Sequence, residues 1–169
     1  MVDLFAYNIV GQVEMVVVVS SNHPLLEQAK VVKGRRYPCV TFEQIQDYPF
    51  VKSAEDQRSS VLSSAYFEQH NAKPNVVCRV TYTGHLYNTV ASGSCIALAP
   101  DLPIPVDGSD FPSVRYLCLQ DTCQMDTLAV IRCHEHQLSV YEEELIVMIR
   151  RLFQHEENQE FTGYEKKNC

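Results

Sequence analysis

Val90-Ala91-Ser92-Gly93-Ser94-Cys95-Ile96-Ala97-Leu98-Ala99-Pro100 joins a helix end, a turn, a buried strand and a strand stop within eleven residues. Leu86 and Val90 fit the inner face of a short helix, and Gly93 can adopt the left-handed conformation that ends it. An apolar strand follows over residues 96–99, and Pro100 stops it. A helix that runs directly into a buried strand is typical of an α/β fold.

The composition is that of a globular protein, and its charge disfavours direct binding to nucleic acid. The 169 residues, with 46% hydrophobic and 21% charged side chains, are enough for one core or two small lobes. Fourteen basic against twenty-one acidic residues give a net charge of −7, which repels a phosphate backbone. Any contact with DNA therefore requires a domain that is absent from this sequence.

The sequence shows no sign of membrane insertion or export. The longest apolar run, Met15 to Val19, is far shorter than a bilayer span, and the first residues lack the basic head and apolar core of a secretion signal. We expect a cytoplasmic protein with no membrane partner. The seven cysteines agree with this expectation, since their number is odd, they form no Cys-x-x-Cys pair, and most lie in apolar runs, as expected of reduced core thiols.

The first hundred residues alternate between strand and helix patterns. The β-branched run Val13 to Ser20 is apolar at successive positions, which predicts a strand buried on both faces, as in a parallel sheet. Thr41 and Gln44 form a capping box for a short helix, and a strand starts at Pro49. A helix is predicted over residues 57–70, ending near Asn71, and a strand over 76–80. The helix should bury Val61, Leu62, Ala65 and Tyr66. The order of these elements favours a doubly wound sheet.

Two strands and a helix follow the proline-rich segment 101–112. The strands are predicted over residues 114–119 and 127–132, and Ser139 caps a helix that runs through Phe153. Acidic residues in its first turn and arginines in its last match the helix dipole. Its buried stripe is predicted to contain Leu145, Met148, Ile149, Leu152 and Phe153.

In this order, the residues resemble the effector-binding domain of LysR-type transcriptional regulators. The matching pieces are Met15-Val-Val-Val-Val-Ser-Ser-Asn-His-Pro-Leu25, Phe42-Glu-Gln-Ile-Gln-Asp-Tyr-Pro-Phe-Val51, the pair Phe67 and Pro74, Val90-Ala-x-Gly-x-x-Ile-Ala-Leu-x-Pro100, and Leu138-Ser139 opening a helix. The resemblance covers about residues 10–155. It implies an α/β, periplasmic-binding-protein-like doubly wound fold with lobe II complete and lobe I partial.

The resemblance also implies how the chain is divided. Residues 1–19 would be a crossover strand from lobe I, 20–100 the effector-binding lobe II, 101–155 a return to partial lobe I, and 156–169 a disordered tail. The family's winged helix-turn-helix and the first part of lobe I have no counterpart before Val13, so the chain looks like a truncated regulator. The late elements would lose sheet neighbours, and we expect them to repack on lobe II or against a second copy in a homodimer or higher oligomer.

In the family, the effector lies between the lobes, where the strand after Pro49 meets the next helix. Here, that segment offers free backbone N–H groups and an arginine, which suit a small anion. The candidate effector-binding residues are Ser53, Gln57, Arg58, Ser59 and Thr83. The alternative for the same segment is a solvated loop in which a serine simply caps the helix.

Other functions rest on weaker patterns. Cys133, His134 and His136, with Cys123, could form a metal or redox centre, but one short cluster is a weak zinc signal and a polar loop explains it better. A solute-binding receptor of the same fold is a further alternative. The sequence has no nucleophile elbow, phosphate loop or dinucleotide fingerprint, so we expect neither an enzyme nor a cofactor. The sequence therefore favours an effector-sensing module of a transcriptional regulator.

Overall fold

The computed structural model describes residues 4–101, 113–121 and 125–154. Its elements, in chain order, are β1 (Phe5–Ser20), α1 (Leu25–Gln28), β2 (Cys39–Val40), α2 (Phe42–Ile45), β3 (Pro49–Ser53), α3 (Arg58–Gln69), β4 (Asn75–Val80), α4 (Thr83–Ala91), β5 (Ala97–Pro100), β6 (Val114–Leu119), β7 (Met125–Cys133) and α5 (Val140–Gln154). The predicted mixed α/β fold is confirmed. The predicted tail 156–169 lies outside the described residues.

A sheet built around β1 forms the centre of the molecule. Its strand order is β2-β6-β1-β5, and β7 pairs with the first half of β1. The strands β3 and β4 form a second, parallel pair, and a parallel bridge from Phe50 to Ile96 connects that pair to the chain just before β5. Each face of the sheet carries helices, as expected for a doubly wound fold.

The run Val13 to Ser20 is buried, as predicted, but its partners are antiparallel. The inference of a parallel strand was wrong because helices cover both faces of this sheet, and it is this cover, not strand direction, that makes successive residues apolar. Val17 and Val19 pack with Phe67 of α3, whereas Val18 packs with Val90 of α4.

Strand β1 is also longer than the pattern predicted. It begins at Phe5, and its first half, through Glu14, pairs with β7 in an antiparallel ribbon. The second half, from Met15, pairs with β5 and β6 instead. The strand β7 and the helix α5 therefore find a neighbour in the first half of β1. The proposed division into lobes stays a prediction.

Two local predictions for the first hundred residues are confirmed. The backbone N–H of Thr41 donates to Gln44 Oε1 at 2.8 Å, which closes the capping box of α2. Gly93 has a φ of +80° after α4, and Asn71 has a φ of +50° after α3, so both residues end their helices in the left-handed region.

The inner faces of two helices differ from the predicted ones. In α3, Val61 is 50% exposed, whereas Ser60, Ser63, Tyr66 and Phe67 are buried. Ser63 Oγ donates to Ser60 O at 3.1 Å, so this buried hydroxyl has a partner within the helix and a serine can face inward. In α5, the buried residue is Ile146, whereas Leu145, Met148 and Leu152 are exposed. No helix in the described part of the chain is long and apolar enough to cross a membrane.

Candidate functional site

The loop between β3 and α3 lies beside the connection from β4 to α4. The backbone N–H of Ala54 donates to Val80 O at 2.9 Å, and the Gln57 side-chain amide donates to Thr81 O. These two bonds place the first turn of α3 near the first turn of α4. The parallel pairing of β3 with β4 explains the arrangement, since both strands end at the same edge.

Two of the candidate hydroxyls are in direct contact. Ser59 Oγ lies 2.9 Å from Ser53 Oγ, so the last residue of β3 is joined to the first turn of α3. Ser53 is buried and Ser59 is half-buried. Hydroxyl groups can donate or accept, so this pair can turn toward either kind of ligand atom.

Arg58 forms a two-pronged contact with a carboxylate that lies far away in the sequence. Its Nε and Nη2 donate to Asp126 Oδ2 and Oδ1, each at 3.0 Å. Asp126 belongs to β7, in the ribbon, whereas Arg58 opens α3. The hydrogen bonds from Arg58 hold the pKa of the Asp126 carboxyl below its ordinary value. The guanidinium of Arg58 and the ionised carboxylate of Asp126 therefore connect α3 to the ribbon of β1 and β7.

Thr83 is the first residue of α4 and is exposed. Among the residues that the structure describes, no hydrogen bond joins it to the other four candidates. Ser53 and Ser59 are thus in contact with each other, whereas Arg58 binds Asp126. Gln57 donates to the loop that precedes α4. The binding role of all five residues stays a prediction.

Sequence reasoning missed Lys52, which lies beside this segment. Lys52 is only 7% exposed, and its Nζ donates to Ser64 Oγ at 2.7 Å. Ser64 in turn donates to Ser60 O at 2.8 Å. Burial lowers the pKa of Lys52, and the charge of Arg79 lowers it further. Its place in an apolar strand was a signal that the side chain would be buried.

A second group of contacts surrounds the point where β1 changes partners. Arg35 donates to Glu14 Oε1 at 3.0 Å and to Leu119 O at 2.8 Å. Arg36 pairs with Asp101 Oδ2 at 3.2 Å. The loop that supplies both arginines therefore connects three strands where they leave the centre of the sheet.

The other end of α3 is also tied to the connection between β6 and β7. The Tyr66 hydroxyl donates to Asp121 Oδ1 at 3.0 Å, and His70 Nε2 lies 3.0 Å from Asp121 Oδ2. The His70 ring stacks on Phe42, with centroids 3.9 Å apart. Contacts at the two ends of α3 therefore reach Asp121, just after β6, and Asp126 of β7.

The possible metal centre gains no support from the described ranges. Cys123 lies outside them, and the residues inside them hold no group of three His, Cys, Asp or Glu side chains placed to bind a metal ion. His136 Nε2 instead lies 3.0 Å from Glu142 Oε1, at the start of α5. Its contact is part of a helix cap.

Comparison with known proteins identifies the family. Residues 3–154 match the model of the LysR substrate binding domain. No curated protein sequence matches the chain.

Solved structures share the fold at low sequence identity. The effector binding domain of QuiR, in complex with shikimate, has a TM-score of 0.61 and 17% identity, over 91% of this chain and 64% of that one. The CcmR regulatory domain of Synechocystis PCC6803, in complex with 2-PG, has a TM-score of 0.68 and 14% identity, over 91% and 70%. The BenM effector binding domain, with its effector benzoate, has a TM-score of 0.65 and 18% identity, over 99% and 72%.

The chain thus spans slightly less than two thirds of the QuiR domain. Since the family model covers most of the chain and the structural neighbours share its fold, this protein belongs to the LysR substrate binding domain family.

Proposed function

We propose that this chain is the effector-sensing part of a LysR-type transcriptional regulator and that it binds a small anionic molecule at the first turn of α3. Ser53, Gln57, Arg58, Ser59 and Thr83 would form its side of the site. The protein would act in the cytoplasm as a binding module rather than an enzyme, without a cofactor, as a homodimer or higher oligomer. DNA would be contacted through a separate domain.

The observation that carries this proposal is the contact between Arg58 and Asp126. A guanidinium that already holds a carboxylate with two parallel hydrogen bonds has the geometry to hold the carboxylate of a ligand. The side chain of Arg58 is 66% exposed, so a ligand can reach it. Shikimate and benzoate, bound by the QuiR and BenM domains, are both carboxylates.

The same contact suggests how binding is transmitted. Arg58 lies on α3 and Asp126 on β7. A ligand carboxylate that takes the place of Asp126 would therefore remove the ion pair that connects α3 to the ribbon of β1 and β7. The ligand would then favour arrangements in which α3 and the ribbon lie at a different distance from each other. In an oligomer, such a population shift would change the spacing of attached DNA-binding domains.

A thermal-shift screen against small carboxylates, aromatic acids and amino acids tests the proposal. A ligand that binds only the folded protein raises the unfolding temperature in a concentration-dependent way. We expect a stabilising carboxylate whose effect is lost in Arg58→Ala. It should persist in Lys33→Ala, which removes the same charge from an exposed loop position. A carboxylate that stabilises Arg58→Ala as well as the unmodified protein would refute this site.

A further inference from the structure

Lys52 is a buried cation with no carboxylate beside it. Its side chain is 7% exposed, and its Nζ donates to Ser64 Oγ at 2.7 Å. Glu55 pairs with Arg79 at 3.2 Å instead, and Glu68 is exposed to solvent. Nowhere in the part of the chain that the structure describes does a carboxylate form an ion pair with Lys52. Charged groups held in such surroundings are costly, and they are concentrated at functional sites.

Two routes connect Lys52 to the first turn of α3. Lys52 precedes Ser53 in β3, and Ser53 Oγ lies 2.9 Å from Ser59 Oγ. Ser64, which accepts from Lys52, donates in turn to Ser60 O at 2.8 Å. The ammonium group of Lys52 is therefore only two hydrogen bonds away from the first turn of α3.

The positive charge at this turn exceeds what one carboxylate can offset. The N-terminal end of a helix carries a partial positive charge, which has the same sign as Lys52, so neither offsets the other. Gln57, at the N-cap, makes no side-chain hydrogen bond to the first turn. A ligand carboxylate that takes the place of Asp126 at Arg58 only exchanges one negative charge for another. The charge of Lys52 and of the helix end then remains for a second acidic group.

We infer that Lys52 makes the proposed site selective for small molecules that carry two acidic groups. One acidic group binds Arg58 in place of Asp126. The second accepts a hydrogen bond from the half-buried hydroxyl of Ser59, which Ser53 holds in place. Lys52 stays buried and attracts the second group through its charge, without touching it. The inference rests on the proposed function, because it requires an anion at the first turn of α3.

Titration calorimetry with matched pairs of acids tests the charge preference. The probes are succinate, glutarate and adipate, together with the monoamide of each, which has nearly the same shape but one charge fewer. The unmodified protein should bind at least one of the diacids about tenfold more tightly than its monoamide at pH 7, because a second charge is attracted to Lys52. In Lys52→Met, which keeps the length of the side chain without its charge, this ratio should fall at least about threefold. Lys73→Met, which removes the same charge from an exposed position, should leave the ratio unchanged.

The pH dependence separates the charge of Lys52 from its packing. As pH rises from 7 toward the ordinary lysine pKa of 10.5, Lys52 loses its proton. The affinity of the unmodified protein for the diacid should then approach that of Lys52→Met. Arg79, Glu55 and Glu68, whose charges act on Lys52, stay charged over this range. Groups that titrate elsewhere affect both proteins alike, so the difference between the two affinities reports on Lys52.

Two results would overturn the inference and leave the proposed site in place. One is an acid that binds in an Arg58-dependent way without any preference for the diacid over its monoamide. The other is a preference that is equally strong in Lys52→Met, or an affinity difference between the two proteins that stays constant with pH. Lys52 would then only hold β3 to α3 through Ser64.

Failure of the proposed site gives a different result. Binding of the acids would then be equally strong in Arg58→Ala, or neither these six acids nor the carboxylates of the thermal-shift screen would bind. In that case the inference about Lys52 fails together with the site. A monocarboxylate that binds through Arg58 while all three diacids fail would refute the inference alone.

Discussion

Gly11 and Phe153 are in direct contact, and this contact fixes the position of α5 on β1. A Cβ atom at Gly11 would lie 2.5 Å from Phe153 Cγ and 2.9 Å from Phe153 Cβ. Because both atoms belong to one side chain near the end of the helix, the helix or the ring would have to move. The absence of a side chain at Gly11 therefore allows the ribbon and α5 to pack.

We expect Gly11→Ala to destabilise the protein by about 1–3 kcal/mol, the usual cost of overpacking. Gly84→Ala is the matched control, since a Cβ there meets nothing within 4 Å. Chemical denaturation measures both changes. In the Phe153→Ala background, the cost of Gly11→Ala should largely disappear. If the cost is the same in both backgrounds, the Phe153 side chain is not its source.

Asp126→Asn should separate ligand binding from stability at the proposed site. The side chain of Arg58 is 66% exposed, so the loss of its pair with Asp126 should leave the free energy of unfolding nearly unchanged. A neutral amide competes less well for the guanidinium, so affinity for a carboxylate found in the screen should rise about three- to tenfold. Titration calorimetry measures this change. A lower affinity would mean that Asp126 positions Arg58 for the ligand and does not compete with it.

Local patterns predicted the parts of the fold that depend on neighbouring residues. The capping box of Thr41 and Gln44 and the helix stop at Gly93 are examples, since each requires only a few residues of context. Strand direction is different. The partners of Val16 are Ala99 and Cys118, both far away in the sequence, and no local pattern encodes their orientation.

The same reasoning separates the two halves of the candidate site. Ser53, Gln57, Arg58 and Ser59 lie in one short segment, so a sequence pattern could propose them together. Asp126 is 68 residues from Arg58, and only the path of β7 along β1 brings the two side chains into contact. The buried stripe predicted for α5 is also wrong at Leu145, Met148 and Leu152, because helical periodicity identifies apolar positions but does not determine which of two apolar faces packs against the protein.

Lys52 should make the protein less stable at neutral pH than an apolar residue would. Burial lowers its pKa in the folded state, so the cost of holding its charge applies below that folded pKa and fades as pH rises toward the ordinary value of 10.5. We expect Lys52→Met to raise the unfolding temperature by about 2–4 °C at pH 7, with a smaller gain near pH 10. Lys73→Met, at an exposed position, is the control. A lower unfolding temperature for Lys52→Met would show that its bond to Ser64 outweighs the cost of burial.

Protonation of Glu142 at acid pH should weaken the N-terminal cap of α5. Its Oε2 accepts hydrogen bonds from Ser139 N at 2.7 Å and Ser139 Oγ at 2.8 Å, and its Oε1 lies 3.0 Å from His136 Nε2. The backbone bond from Ser139 is the largest of the causes that lower the pKa of Glu142 to about 2. Because this pKa lies below the ordinary 4.5, the stabilisation is complete above pH 4.5 and is lost as pH falls toward 2. The unmodified protein should therefore unfold at a higher temperature than Glu142→Gln at pH 7, and the difference should shrink between pH 4.5 and 2. Glu143→Gln, in the same helical turn, is the control and should show no such dependence on pH. If both variants show the same dependence on pH, the helix dipole and not the cap is its cause.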